Sequence, residues 1–141
     1  EMKVMKAHVR ITEMILEGVV DDDVLQIAVR HHEKLDGTGY HKGLSASDLS
    51  LPQQIIAVAD ILSALYGKRS YKEAFSKEKI LDIMNSDADK GKINRNVVTI
   101  LEKNYDSIIA EFEKEKENTI GLYLKIKEQY AIMIERFKKF D

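Results

Sequence analysis

The sequence predicts an all-α protein, and three observations support this expectation. Apolar residues recur at intervals of three and four along most of the 141 residues, which places them on one face of a helix. The chain contains a single proline, the residue least compatible with helix interiors. Its 44% hydrophobic and 33% charged residues are typical of a folded, helix-rich domain. We therefore expect a compact helical bundle with a long C-terminal helical extension.

Two helices are expected at the start of the chain. The first carries apolar residues at helical spacing over residues 2–16 and ends near Gly18, since glycine often stands just past a helix end. His8 shares a face with apolar residues of this helix, so it should point inward. Three consecutive aspartates at 21–23 then supply an N-cap and a favourable charge for the second helix.

The middle of the chain is predicted to be a loop followed by an almost wholly apolar helix. Residues 35–50 include three glycines and show no sustained period, which is typical of a loop that holds a site. Pro52 is well placed to open the helix over residues 53–66. Asp60 stands in the middle of this helix, where a carboxylate is costly unless it is paired, protonated or bound to a cation. We therefore expect a central helix with a buried aspartate.

The remainder of the chain is predicted to be charged helix with an apolar seam. Ser76 and Asn94 each cap a helix. Apolar residues then alternate in steps of three and four, as in a coiled-coil seam; they are Tyr105, Ile109, Phe112, Tyr123, Ile126, Tyr130, Met133 and Phe137. Lys116 and Thr119 interrupt the seam. We divide the chain into a helical domain over residues 1–105 and an extension over 106–141, which either forms a coiled coil or packs back on the domain.

Composition and charge limit the class of function. A net charge of -2 argues against binding to nucleic acid polymers, which normally requires a basic excess. The chain has no cysteine, which excludes disulfides and thiolate metal sites. No apolar run reaches the ~18 residues of a membrane span, so we expect a cytoplasmic protein. Because the chain begins at Glu1 inside an uncapped predicted helix, we expect its natural beginning to lie upstream.

Three histidines and one aspartate are expected to converge on a metal site. His31 and His32 emerge at the inner edge of the second helix, while His8 lies on the first and Asp60 on the third. Imidazole with carboxylate suits Fe, Mn, Zn or Ni, and a divalent ion could activate water against a phosphoryl group. A single histidine is more often structural. The adjacent pair together with the aspartate favours metal-assisted phosphoester hydrolysis.

Residues that flank this group have two interpretations each. Glu33 either orients an imidazole or is a solvated residue at a helix end. Asp36 precedes Gly37, which is a strong turn signal, so Asp36 is chiefly architectural. A short cationic loop could bind a phosphate or carry exposed charge; its residues are Lys68, Arg69, Tyr71 and Lys72.

The stretch HHEKLDGTGYHKGL at residues 31–44 resembles the signature of HD-GYP domains, a branch of the HD metal-dependent phosphohydrolases that hydrolyses cyclic di-GMP. The similarity continues through LPQQIIAVADILSALYGKRSYKEAFS at residues 51–76. It extends from about residue 5 to residue 105, so it covers most of the chain.

The resemblance implies a role for each matching position. It implies that an iron or manganese cluster is bound by four residues: His8, His31, His32 and Asp60. A signature loop would shape the site and contact partner signalling domains; it comprises Asp36, Gly37, Gly39, Tyr40 and His41. Arg69 and Lys72 match basic positions near the bound cyclic dinucleotide.

Three departures from the family pattern matter. The His-Asp doublet that names the family belongs upstream of His8 and is absent from this sequence, so the binuclear site cannot be assembled from it. His41 replaces the proline after Gly-Tyr, which leaves the turn freer and adds a candidate ligand or proton carrier. Gln54 stands where the family usually has arginine, which removes one cation from the helix of Asp60.

Three functions are consistent with these features. In the first, the chain is an incomplete cyclic di-GMP phosphodiesterase domain that is inactive alone. In the second, it is a degenerate non-catalytic module that serves signalling or homodimerisation through the C-terminal helix. In the third, it is a plain helical scaffold. The uncapped start favours the first, whereas His41 and Gln54 favour the second. We favour the first, and expect weak binding of about one transition metal ion, with Fe or Mn preferred over Zn or Ni.

Overall fold

The computed structural model describes residues 2–67 and 75–137, and the all-α expectation is confirmed. These residues form six helices: α1 (Met2–Leu16), α2 (Asp22–Arg30), α3 (Leu51–Tyr66), α4 (Lys77–Asp89), α5 (Arg95–Lys103) and α6 (Tyr105–Phe137). Extended structure in the described residues is limited to one isolated bridge between Asp36 and Ser45. None of the described helices combines the length and apolar character needed to cross a membrane.

The chain divides into two compact units, residues 1–102 and residues 103–141. In the first unit α1 packs on α2, α2 on α3, and α3 on α4. Val9 of α1 is fully buried against Leu25 and Val29 of α2. This contact fixes α1 against α2, and the positions of the histidines depend on it. The second unit contains α6, and the functional boundary predicted at residue 105 stays a prediction.

The prediction that α3 is a central helix with a buried aspartate is wrong. Ser50 and Gln53 form the capping box at its start, and Ala57, Val58 and Leu62 are buried. Three other apolar residues are 40–56% exposed: Leu51, Ile55 and Ile56. Within the described residues α2 and α4 pack on α3. The side of α3 that carries the three exposed residues is left open to solvent. The side chain of Asp60 accordingly keeps 41% of its surface exposed.

Candidate metal centre

Three histidine side chains meet at one point of the first unit. The Nε2 atom of His8 lies 3.3 Å from Nε2 of His31 and 3.2 Å from Nε2 of His32. One ring nitrogen from each lies within 4.8 Å of the other two. His8 belongs to α1, whereas His31 is the C-cap of α2 and His32 follows it. The structure thus brings together three of the four residues predicted as ligands.

The tautomer of His31 is determined by its backbone contact. The Nδ1 atom lies 2.7 Å from the carbonyl oxygen of Ala28, and a carbonyl can only accept a hydrogen bond. Nδ1 therefore carries the proton and donates it to that carbonyl. Nε2, which lies 3.3 Å from Nε2 of His8, is the nitrogen available to bind a metal.

The spacing of these nitrogens fits a metal ion. Nitrogen ligands at about 2.1 Å from an ion are separated by about 3.0 to 3.4 Å in octahedral or tetrahedral geometry. The two Nε2 distances of 3.2 and 3.3 Å fall within this range. Three imidazoles also form a donor set that divalent transition metals accept. Two of the three nitrogen pairs thus have the spacing of metal ligands, and all three nitrogens lie within 4.8 Å of one another, so these residues could hold a metal ion.

Asp60 lies on the side of His32 that faces away from His8. Its Oδ2 atom lies 3.4 Å from Nδ1 of His32, whereas Nε2 of His32 faces His8. Asp60 is predicted to be a fourth ligand, and this role stays a prediction; in the structure its carboxylate lies against the outer nitrogen of His32. A carboxylate in this place orients the imidazole and increases its basicity.

Tyr40 of the signature loop forms a second wall against His32. Its ring lies 4.6 Å from the His32 ring, between centroids, at an interplanar angle of 33°. The Tyr40 N–H donates to the His32 carbonyl oxygen at 3.1 Å, and the Lys6 ammonium lies 4.8 Å from the Tyr40 ring centre. Burial, assisted by the negative charge of Asp60, raises the pKa of the Tyr40 hydroxyl. Tyr40 therefore remains protonated at neutral pH and restrains one face of His32.

Glu33 holds the signature loop rather than an imidazole. It is only 3% exposed, and its two carboxylate oxygens accept hydrogen bonds from the N–H groups of Lys42 at 2.6 Å and Leu44 at 2.9 Å. The prediction of a solvated residue is wrong, because the loop folds back over the end of α2 and encloses this side chain. The alternative, that Glu33 orients an imidazole, has no counterpart among its hydrogen bonds, whereas Asp60 lies 3.4 Å from an imidazole nitrogen.

The glycines and Asp36 shape the loop. A Cβ atom on Gly39 would lie 2.4 Å from the Lys34 nitrogen, a distance that real side chains do not reach. Gly37 has a φ of 76°, in the left-handed region that favours glycine. Oδ1 of Asp36 accepts from the N–H and the hydroxyl of Thr38, which lowers the pKa of its carboxyl group. These contacts agree with the architectural interpretation of Asp36.

His41 points to α1 rather than to the cluster. Its Nε2 atom lies 3.6 Å from the carboxylate of Glu13, and the neighbouring Lys42 pairs with the same carboxylate at 2.9 Å. Glu13 was missed by sequence reasoning because its partners lie 28 and 29 positions away, and no local pattern links them. The structure thus gives His41 and Lys42 one shared contact that joins the loop to α1.

Gln54, which stands where the family usually has arginine, makes two hydrogen bonds. Gln54 donates from Nε2 to the Leu49 carbonyl and accepts from Asn94 through Oε1, both at 2.7 Å, so it joins the start of α3 to the start of α5.

The four residues predicted to bind phosphate lie outside the described residues, and their role stays a prediction: Lys68, Arg69, Tyr71 and Lys72.

The pKa of His32 provides a test of this geometry. Burial lowers it below the ordinary value, and the charges of His31 and His8 lower it further, whereas the negative charge of Asp60 opposes them. The imidazole is therefore neutral at pH 7, as a metal ligand must be. Asp60→Asn removes the one opposing charge, so we expect the pKa of His32 to fall further. A proton NMR titration of the metal-free chain measures this shift.

Asp22→Asn is a matched control for this titration. Asp22 begins α2, ten residues before His32, which is about 15 Å along a helix. Screening makes such a charge ineffective at physiological ionic strength. An Asp60→Asn titration that coincides with that of the unmodified chain would contradict the observed contact.

Fold and site together define an all-α domain with a cluster of three histidines that could hold a metal ion. The family model described as HD domain matches residues 1–97, and the chain belongs to this family. This confirms the resemblance inferred from residues 31–44 and 51–76. HD domains are metal-dependent phosphohydrolases, and the three-histidine cluster lies within the matched region.

Curated relatives share the same region. The 3'3'-cGAMP-specific phosphodiesterase 1 of Vibrio cholerae is 36% identical over 92 residues, covering 62% of this chain and 21% of that protein. The cyclic di-GMP phosphodiesterase response regulator RpfG of Xanthomonas campestris is 43% identical over 84 residues, covering 57% and 22%. The cyclic di-GMP phosphodiesterase PdeB of Borreliella burgdorferi is 33% identical over 99 residues, covering 70% and 26%. The chain thus spans about a fifth to a quarter of these relatives.

Proposed function

We propose that this chain carries part of the metal centre of a phosphodiesterase domain that acts on cyclic dinucleotides. The convergence of three histidines carries the proposal: Nε2 of His8 lies 3.2 to 3.3 Å from Nε2 of His31 and of His32. The activities of the relatives supply the substrate class. Following the HD-GYP resemblance, we propose iron or manganese as the metal rather than zinc or nickel.

The roles of the residues follow from their contacts. A divalent ion bound here would polarise a phosphoryl oxygen and lower the pKa of a bound water. His31 presents Nε2 because its Nδ1 proton is held by Ala28. Asp60 and Tyr40 restrain the His32 ring from its outer nitrogen and from one face. Arg69, Tyr71 and Lys72 are proposed to bind the phosphates of the dinucleotide, which two cations suit by charge.

We expect this chain alone to leave cyclic di-GMP intact. None of its four histidines is followed by aspartate, so the bridging carboxylate of the HD pattern is not supplied by these residues. An assay with added manganese should therefore give no linear product. Turnover by this chain would mean that the doublet is dispensable or that a second chain supplies it.

A segment exchange tests whether the cluster supports catalysis. Residues 1–97 of this chain, the segment matched by the family model, would replace the corresponding segment of the 3'3'-cGAMP-specific phosphodiesterase 1 of Vibrio cholerae, whose own sequence supplies the remainder of the domain. We expect the chimera to cleave its cyclic dinucleotide with manganese, and the His31→Ala and His32→Ala chimeras to yield no product. Lys79→Ala, on the exposed side of α4, is the control and should retain activity.

A folded but inactive chimera would support the second candidate function, a non-catalytic signalling or dimerisation module. Two observations favour that candidate. His41 replaces the family proline and contacts Glu13. Gln54 replaces the family arginine and bonds to Leu49 and Asn94. At both positions the side chain makes a structural contact. Neither position supplies the proline or the arginine that the family has there.

A further inference from the structure

Lys6 brings a cation close to the three-histidine cluster. Its ammonium lies 4.8 Å from the centre of the Tyr40 ring, within the range of a cation–π contact. The same Tyr40 ring lies 4.6 Å from the His32 ring, between centroids. Lys6 and His8 both belong to α1, so this one helix brings a candidate metal ligand and a cation to the site.

The charge of Lys6 is not neutralised by a carboxylate. The side chain is exposed, and among the described residues it forms no ion pair. Lys42 of the signature loop, by contrast, pairs with Glu13 at 2.9 Å. An aromatic ring attracts the ammonium without accepting conventional hydrogen bonds from it, so the three N–H donors of Lys6 remain available to an anion.

An anion that approaches the cluster beside Tyr40 meets the negative charge of Asp60. Oδ2 of Asp60 lies 3.4 Å from Nδ1 of His32, and burial together with the charge of Asp60 raises the pKa of the Tyr40 hydroxyl. The carboxylate is therefore close enough to repel a phosphate on this side of the cluster. A cation held against the Tyr40 ring offsets that repulsion.

We propose that Lys6 binds a phosphate group of the cyclic dinucleotide, an inference that rests on the proposed function. The ammonium is a compact charge on a flexible four-carbon stem, so it can turn from the ring to a phosphate without movement of α1. A cyclic dinucleotide carries two phosphate groups. Lys6 supplies positive charge from α1, whereas Arg69 and Lys72 follow α3 in the sequence, so cations from two separate segments can each bind one phosphate.

Calorimetric titration of the manganese-loaded chain with cyclic di-GMP tests this role, since we expect the chain alone to bind the dinucleotide without cleaving it. Lys6→Met removes the charge and keeps an unbranched apolar side chain, and it should weaken binding roughly tenfold. Lys6→Arg keeps the charge and the contact with the ring, and it should restore most of the affinity. Lys79→Met, on the exposed side of α4, is the matched control and should leave the affinity unchanged.

The salt dependence of binding provides a second readout. Added salt screens the contact between an exposed ammonium and a phosphate. The affinity of the unmodified chain should therefore fall more steeply with salt concentration than the affinity of Lys6→Met. Equal salt dependence in the two proteins would contradict a direct contact between Lys6 and phosphate.

Metal content and urea unfolding of each variant separate this role from support of Tyr40 alone. Lys6→Met should retain its metal and its unfolding midpoint; weaker nucleotide binding that accompanies loss of metal or of stability would show a structural role and overturn the inference. The proposed function fails if the unmodified chain holds no metal. The role of Lys6 fails if the chain holds metal but does not bind cyclic di-GMP, or if Lys6→Met binds it as tightly as the unmodified chain.

Discussion

Replacing Gly39 by alanine should destabilise the first unit by about 3 kcal/mol or more and dismantle the histidine cluster. The added Cβ would lie 2.4 Å from the Lys34 nitrogen and 2.5 Å from the Glu33 Cα. These are backbone atoms, so no side-chain rotation relieves the overlap. The loop cannot simply retreat, because the buried Glu33 carboxylate holds it through two backbone N–H groups. Tyr40, the next residue, would be displaced from His32.

Urea unfolding compares Gly39→Ala with the unmodified chain, and Gly121→Ala is the matched control. A Cβ on Gly121 meets nothing within 4 Å, and Gly121 lies inside α6. Alanine there should raise helix stability by up to about 1 kcal/mol. Equal unfolding midpoints for Gly39→Ala and the unmodified chain would show that the loop does not pack as described.

Removing one imidazole from the cluster should weaken metal binding strongly. Four-ligand structural zinc sites bind with about 10 to 16 kcal/mol, so each ligand contributes on average about 3 kcal/mol, or roughly a hundredfold in affinity. The cluster supplies three such nitrogens, from His8, His31 and His32. We expect the three-histidine site to bind metal weakly, so a site with only two of these nitrogens should no longer retain metal through purification.

The helices were predictable because their determinants are local. The apolar period over residues 2–16, the aspartates in the first turn of α2 and the capping box at Ser50 act within one or two turns. The position of His8 was not predictable in this way: Ile11 and Ile15, the apolar residues predicted to share an inward face with it, are 54% and 64% exposed. The packing of Val9 on Leu25 and Val29 then brings the two helices together.

The environment of Asp60 was not predictable in the same way. An almost wholly apolar helix indicates burial, but composition does not tell which sides neighbouring helices cover. In the described residues, one side of α3 is left open, so the Asp60 carboxylate is partly exposed and reaches the outer nitrogen of His32. Its role depends on the packing of α2 against α3.

The contacts of the signature loop were missed because they span the chain at irregular distances. Glu33 bonds to N–H groups nine and eleven residues later, and backbone donors leave no mark on the sequence. The pairing of Glu13 with His41 and Lys42 likewise joins two distant segments. The sequence pattern predicted that the loop forms part of a site, whereas tertiary contacts determine what each of its residues bonds to.

Metal content measured after purification without chelator tests the central claim most directly. Manganese or iron would be quantified by elemental analysis for the unmodified chain, for His31→Ala and for His32→Ala. His41→Ala is the control, because His41 contacts Glu13 instead of the cluster. We predict about one ion per chain in the unmodified protein and in His41→Ala, and little in the other two. Equal metal content in all four proteins would contradict a metal centre built by His8, His31 and His32.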